Sequence, residues 1–191
     1  VGGAALALGM LETLSNIFSG LQLILSRQIR IGDYVRISAD EEGKVADINF
    51  RFTTVQTLGG NTIIVPNQKL ASSVLTNYDM PAQEISVAIP VGVSYSSDLD
   101  EVERVTLEVA NEVMAAFDHD VESDPIVRFH TFGDSAIEFN VVLRTSSFVN
   151  QFLLKHEFIK ALTRRYREEG IDIPFPIRTI IQEEASETEQ K

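Results

Sequence analysis

Residues 1–26 carry a single ionisable side chain, Glu12, before Arg27 and Arg30. So apolar a stretch has to be removed from water, which restricts it to a buried core helix or a helix at a membrane. Its two halves differ. Val1–Leu11 mixes Gly2, Gly3, Ala4, Ala5, Ala7 and Gly9 with larger apolar residues, and small residues of this kind let helix backbones approach closely in lipid. From there Leu11, Leu14, Ile17, Phe18, Leu21, Ile24 and Leu25 recur at helical spacing, while Glu12, Thr13, Ser15, Asn16, Ser19 and Gln22 fill much of the other side. Twenty-six helical residues span roughly 39 Å, enough to cross a bilayer. The polar content of the second half places that half at the interface, and Gly20 can bend the helix between the two characters. The expectation is a helix that enters a membrane and leaves it on the cytoplasmic side, where the two arginines stand. The alternative is a Gly/Ala-rich core helix of a soluble protein.

The rest of the chain has the composition of a globular protein, with 44% hydrophobic residues overall. There is no cysteine, which excludes disulfides, thiolate metal sites and Cys nucleophiles. The chain opens on Val rather than Met and reads as a piece of a longer protein. Residues 1–26 lack the basic start of a signal peptide. Net charge is −12, and it is uneven. Residues 1–82 hold 6 basic and 7 acidic side chains, residues 83–182 hold 9 and 17, and residues 183–191 hold 1 and 4. No basic footprint for nucleic acid is present.

Residues 32–78 read as short strands: Asp33–Ile37, Gly43–Ile48, Thr53–Thr57, Thr62–Val65 and Val74–Asn77, turned at Asp40-Glu41-Glu42-Gly43 and Gly59-Gly60-Asn61. Five strands in so short a segment imply a small, strongly bent barrel. Pro81 marks a boundary. Beyond it the pattern gives a strand at Glu84–Val91 and a helix at Asp98–Phe117 capped by Ser97 or Asp98. Strands follow at Ile126–Phe132 and Ile137–Arg144, then a helix at Asn150–Glu169 stopped by Gly170 and a last strand at Ile177–Ile181. The order β-α-β-β-α-β is that of a ferredoxin-like unit. The fold class is therefore α+β, divided into a helix (1–30), a small β domain (31–82), an α/β domain (83–182) and a polar, disordered acidic tail (183–191).

Little in the chain points to catalysis. Asp118-His119-Asp120 could suggest a metal site but lacks a second cluster and reads as a solvated turn. His130, on a strand, reads as a core or interface residue. Gly59-Gly60 precedes a strand rather than a helix and is no phosphate loop. No Ser/His/Asp constellation has a motif around it. The reading is of a non-enzyme with no catalytic residues, no metal and no cofactor. Glu12 stands open between a functional charge in an apolar segment and an interfacial residue facing water. Asp98 to Asp124 holds ten acids and one base, Arg104, whereas the helix Asn150–Glu169 carries Lys155, Lys160, Arg164, Arg165 and Arg167. The two helices could pair across a subunit boundary or balance one another.

Several short motifs recur in one order: Leu8…Glu12-Thr13-Leu14-Ser15-Asn16…Gly20, Arg30-Ile31-Gly32-Asp33-Tyr34-Val35, Gly43-Lys44-Val45, Arg51-Phe52-Thr53, Gly60-Asn61-Thr62, Ile64-Val65-Pro66-Asn67, Asn77-Tyr78, and Gly170-Ile171-Asp172-Ile173-Pro174-Phe175-Pro176. Together they resemble the small-conductance mechanosensitive channel family over about residues 1–182. The resemblance implies a homoheptamer in the cell membrane, multi-pass in its full length. It would open under tension to release ions and small osmolytes in hypo-osmotic stress. Residues 1–26 are similar to that family's pore-lining helix, with Ala4, Leu8, Leu11 and Glu12 along the pore and Gly9 and Gly20 as hinges. Leu8 matches one of two constriction rings; the other falls on Ala4, where Leu is more usual. Glu12 takes a position where some members carry a hinge glycine, which leaves Gly20 as the bend. Residues 31–191 would be cytoplasmic, with residues 31–80 similar to the Sm-like middle domain and residues 83–181 to the lower domain that builds a hollow cage. The implied partners are further copies of the chain, the lipid bilayer and permeating ions, with no nucleic acid. The competing reading is a soluble Sm-like and ferredoxin-like oligomeric binding module, but an RNA-binding sheet would want stacking aromatics with basic neighbours.

Overall fold

A computed structural model describes residues 2–81, 84–117 and 123–176, with the side chains of residues 2–9 outside the described set. The fold is α+β. The chain divides into two compact units, Val1–Ile85 with Thr145–Gln151, and Ser86–Arg144 with Phe152–Lys191.

The first unit opens with helix α1 (Gly2–Ser26). Arg27, at a left-handed φ of 53°, ends it. Strands β1 (Tyr34–Arg36), β2 (Glu42–Ile48), β3 (Phe52–Gln56) and β4 (Thr62–Pro66) follow, then a short helix α2 (Asn67–Ser72) and β5 (Thr76–Asn77). The sheet order is β4-β3-β2-β1-β5. Alternation along β3, with Thr53 and Val55 inward, turns one face to a core of Leu23, Ile29, Val35, Ile37, Val45, Val55, Val65 and Leu70. The register of β2 on β3 shifts between Val45 and Asp47, and such a bulge sharpens strand bend and twist. β2 takes in Glu42 of the expected turn, and Gly43 lies inside it, as the expected strand Gly43–Ile48 implies. A Cβ there would stand 2.3 Å from the Gln56 carbonyl oxygen, so only glycine lets β2 and β3 close at that point.

The second unit contains β6 (Ile85–Val93), α3 (Leu99–Phe117), β7 (Ile126–Phe132), β8 (Ile137–Thr145) and α4 (Asn150–Glu169), with sheet order β6-β8-β7. Asp98 Oδ1 accepts the N–H groups of Asp100 and Glu101 and caps α3. Gly170, at φ +71°, terminates α4, and the Ile171 N–H returns to the Tyr166 carbonyl. Val102, Val105, Val109 and Met114 of α3 and Leu154, Phe158, Leu162 and Tyr166 of α4 join Val127, Phe139, Val141 and Leu143 in the core. The strand expected at 177–181 and the tail 183–191 lie outside the described residues.

One expectation needs correction. Among the described residues, no helix is long and apolar enough to cross a membrane. α1 has the length, but Glu12, Thr13, Ser15, Asn16, Ser19 and Gln22 interrupt the apolar run after residue 11. A bilayer core needs about twenty predominantly apolar residues in sequence.

Candidate functional site

The candidate site is α1, and what it does with its two sides. The helix continues through Gly9 and Gly20 without interruption. From Met10 onward its buried residues are Asn16, Gly20 and Leu23, spaced four and three apart on one narrow stripe. Each has a definite partner. Asn16 Oδ1 accepts the Gln68 N–H at 3.0 Å, and its Nδ2 donates to the Glu12 carbonyl. Pro66 gives α2 no side-chain cap, so α1 satisfies a free N–H in the first turn of α2. Asn67, fully buried, donates from Nδ2 to the Asn49 carbonyl at 2.7 Å and accepts from Thr53 Oγ1 at 2.9 Å. Gly20 faces this amide: a Cβ would lie 2.4 Å from Asn67 Nδ2 and 3.0 Å from the Phe50 carbonyl oxygen. Leu23 completes the stripe in the core of the β unit.

The apolar residues that recur at helical spacing are uncovered. Leu11, Leu14, Ile17, Phe18, Leu21, Ile24 and Leu25 are all between 39% and 72% exposed. The helix docks to its own chain by Asn16, Gly20 and Leu23 and leaves the larger apolar face exposed. A contiguous face of this kind marks an interaction surface. Two grooves run beside it. One, of about 310 Å³, is lined by Ile17, Gly20, Leu21, Ile24, Ile48, Asn49 and Phe50. The other, of about 510 Å³, lies between Ile24, Ile29, Ile31 and Ile48 and ends at Arg27 and Arg30.

Of the residues expected along a pore, Leu11 and Glu12 are exposed. Ala4, Leu8 and Gly9 lie on α1, with side chains outside the described residues. Just after the helix, Asp33 Oδ2 gathers the Arg30 N–H at 2.9 Å and Asn77 Nδ2 at 2.7 Å, and Asn77 also donates to the Gln28 carbonyl. This ties the exit from α1 to β1 and β5. Asn16, Gly20 and Asn67 as a joint were not foreseen, although an amide in the middle of an apolar helix is the signal that points to one.

His130 is exposed, so of the expectation of a core or interface residue the core alternative falls. The β7–β8 register shifts between Phe129 and Thr131, leaving His130 as the extra residue of a bulge. Asp118-His119-Asp120 falls outside the described residues. The acidic and basic helices meet within one chain, since Arg165 reaches Glu108 of α3 at 2.9 Å and Glu169 at 2.8 Å, while Arg104 holds the other oxygen of Glu108 at 2.7 Å.

Residues 12–80 match the family profile described as mechanosensitive ion channel, beta-domain, and residues 87–173 match that of mechanosensitive ion channel MscS, C-terminal. The chain belongs to the MscS-like mechanosensitive channel family. Among its relatives, the small-conductance mechanosensitive channel MscMJ of Methanocaldococcus jannaschii is 26% identical over 183 residues, covering 94% of this chain and 51% of the relative. An uncharacterized MscS family protein of Bacillus subtilis is 27% identical over 194 residues, covering 100% and 51%. The chain thus spans about half the length of these curated relatives. The closed-state crystal structure of Helicobacter pylori MscS shares the fold, with a TM-score of 0.72 at 24% identity, over 96% of this chain and 70% of that one. The β-domain match begins at Glu12, so the MscS-like profile includes the stripe Asn16, Gly20 and Leu23 by which α1 docks.

Proposed function

We propose that this chain is the pore-helix and cytoplasmic portion of a mechanosensitive ion channel subunit, which opens under membrane tension to release ions and small osmolytes during hypo-osmotic stress. The observation that carries the reading is the division of α1. Its stripe of Asn16, Gly20 and Leu23 is committed to its own β unit, and its apolar face is exposed among the described residues. A helix presented in this way suits a ring of like helices in a membrane-rooted channel. Small residues at Gly2, Gly3, Ala4, Ala5, Ala7 and Gly9 suit close packing of those helices.

In this reading the subunits form a homo-oligomer, a heptamer by the family resemblance. Leu8 forms the constriction and seals it by excluding water. Ala4 gives a wider ring one turn away, and Leu11 and Glu12 follow toward the exit. Gly9 and Gly20 are the hinges; for Gly20, movement would mean breaking its close approach to Asn67. Arg27 and Arg30 favour the cytoplasmic side for residues 31–191, with the membrane passes supplied by the full-length protein. The domains run 1–30, 31–82 and 83–182. The order β4-β3-β2-β1-β5, with a bulge in β2, supports an Sm-like middle domain, and the order β6-β8-β7 with α3 and α4 supports a ferredoxin-like lower one. Recording from patches that carry the full-length protein under suction tests the proposal. Stepwise currents that appear with tension and vanish on release are expected. Silence at tensions up to membrane rupture would overturn it.

A further inference from the structure

The first unit is completed by a piece of chain from much later in the sequence, Thr145–Gln151. β8 ends at Thr145 and α4 begins at Asn150, so this insert is continuous in the chain with both. Phe148 is its plug. Its side chain is 7% exposed, its ring stacks on Tyr34 of β1 at 4.1 Å and 15°, and it packs against Tyr78 at 4.4 Å. The two tyrosine rings are 6.1 Å apart, so the three form one aromatic cluster. Elsewhere the insert is seated less closely. Val149 is 46% exposed, and a cavity of about 270 Å³ opens beside the plug among Gly32, Lys44, Asp79 and Ser147. Segments with few buried contacts open locally well below the cost of global unfolding.

What the plug covers is a weak joint. β5 has two residues and meets β1 at two positions, Val35↔Asn77 and Arg36↔Thr76. So short a pairing has little strength of its own. Tyr34 and Tyr78 flank it, with the Tyr78 N–H donating to the Tyr34 carbonyl at 3.0 Å, and Phe148 packs on both rings. The joint in turn fixes the exit from α1. Asn77 Nδ2 donates to the Gln28 carbonyl at 3.1 Å and to Asp33 Oδ2, and that oxygen also accepts the Arg30 N–H. An unbroken run of contacts therefore leads from Phe148 through β1 and β5 to the residues that follow α1.

We propose that Thr145–Gln151 is a releasable latch. With Phe148 seated, β5 is held on β1 and the exit of α1 is fixed. With Phe148 withdrawn, the joint opens and residues 27–33 are freed. Displacement of β8 or α4 draws on the insert and reaches α1 by this route; that last step rests on the proposed role of α1 in the channel, whereas the latch itself does not. The test is amide hydrogen exchange on the purified protein in detergent. Phe148→Ala is expected to speed exchange at Asn77, Tyr78 and residues 27–33 by about tenfold or more, while the amides of α3 and α4 exchange like the parent's. Tyr34→Phe keeps the ring and deletes a hydroxyl that has no hydrogen-bond partner, so it should exchange like the parent. Tyr34→Ala should match Phe148→Ala, and the double variant should add little to either, because both empty the same slot. Unchanged exchange in Phe148→Ala, additive effects in the double variant, or a loss of protection that spreads through α3 and α4 would overturn the latch. In patches carrying the full-length protein, Phe148→Ala is expected to open at lower tension and Tyr34→Phe at the parent's. A freed exit with an unchanged threshold would overturn the route to α1, whereas a parent that stays silent counts against the channel reading and leaves the exchange result to decide the latch.

Discussion

Gly20 owes its size to a neighbour rather than to its helix. In a helix interior, glycine is about 1 kcal/mol worse than alanine, so Gly20→Ala would stabilise α1 in isolation. In the folded chain the added methyl would meet Asn67 Nδ2 at 2.4 Å. That amide cannot step aside freely, because it is anchored to Asn49 and its oxygen is held by Thr53. Overpacking of this kind costs about 1–3 kcal/mol, which outweighs the helix gain. Gly20→Ala is therefore expected to lower the urea midpoint of the first unit, and Asn67→Ala to lower it further by leaving the Asn49 carbonyl unpaired. A midpoint raised by Gly20→Ala would mean that α1 does not dock here. Leu8 is the proposed constriction. With Ala4 as the only neighbouring ring, little else in residues 1–11 could back up its seal. Leu8→Ser would wet the constriction and remove part of the cost of exposing apolar surface on opening, about 25 cal/mol per Å². Repeated around a ring, this shifts the closed–open balance. Opening at lower tension, or leak at rest, is expected in patch recordings, and an unchanged threshold would take Leu8 out of the gate.

At the scale of elements, most boundaries were legible because alternation and helical spacing are local signals. β7 and α4 begin and end where the pattern ends, and the other long elements differ from it by one or two residues. Two features were not legible, each for a physical reason. Helix α2 has six residues, too few to show a period, and its first turn is completed by Asn16, fifty-two positions earlier. The side by which α1 docks was not legible, because an amphipathic pattern gives the angle of a face but not what covers it. The helices of the second unit supply an element-scale prediction. Tyr166 of α4 is buried and hydrogen-bonded to Thr106 of α3. Desolvation pushes its hydroxyl up to about 12, with the Thr106 bond acting in the opposite direction. Below pH 10 the hydroxyl is protonated in both folded and unfolded chains, so its contribution is fully present. Between about pH 10 and 12 the unfolded chain releases the proton while the folded chain retains it, and stability falls. At 1.36 kcal/mol per pK unit, the loss is about 2–3 kcal/mol across that window. Subtracting the alkaline unfolding curve of Tyr166→Phe from that of the parent should isolate this slope. Parallel curves would mean that the hydroxyl meets water in the folded state.

For the whole molecule, the acidity of the sequence overstates the field around the assembly. The stretch Asp98 to Asp124 holds ten acids against one base. Within it, helix α3 carries five carboxylates and one guanidinium, whereas α4 carries five cations and three carboxylates. Where the helices meet, Arg165 and Arg104 both hold Glu108, and Arg104 also reaches Glu101 at 3.6 Å. The pair therefore nets only −2, and the carboxylates of α3 without an ion pair among the described residues are Asp100, Glu103 and Glu112. A homoheptamer would nevertheless carry 7 × (−12) = −84 from this chain alone, and native mass measurement in detergent should return seven copies, whereas a stable monomer or dimer of the complete protein would count against the ring. In the proposed channel, ions that reach the pore through such a body would meet a negative but largely compensated wall. Screening acts over about 10 Å at 0.1 M salt and shortens as salt rises, so the wall biases passage without filtering it. The expected selectivity is a few-fold preference for cations that shrinks as salt rises, measured as reversal potentials in a salt gradient. Replacing Glu103 and Glu112 with Gln should reduce that preference, while Glu108→Gln, whose charge is already matched by two arginines, should change it less. A clear preference for anions would mean that the free carboxylates of α3 point away from the ion path and that the basic face of α4 lines it instead.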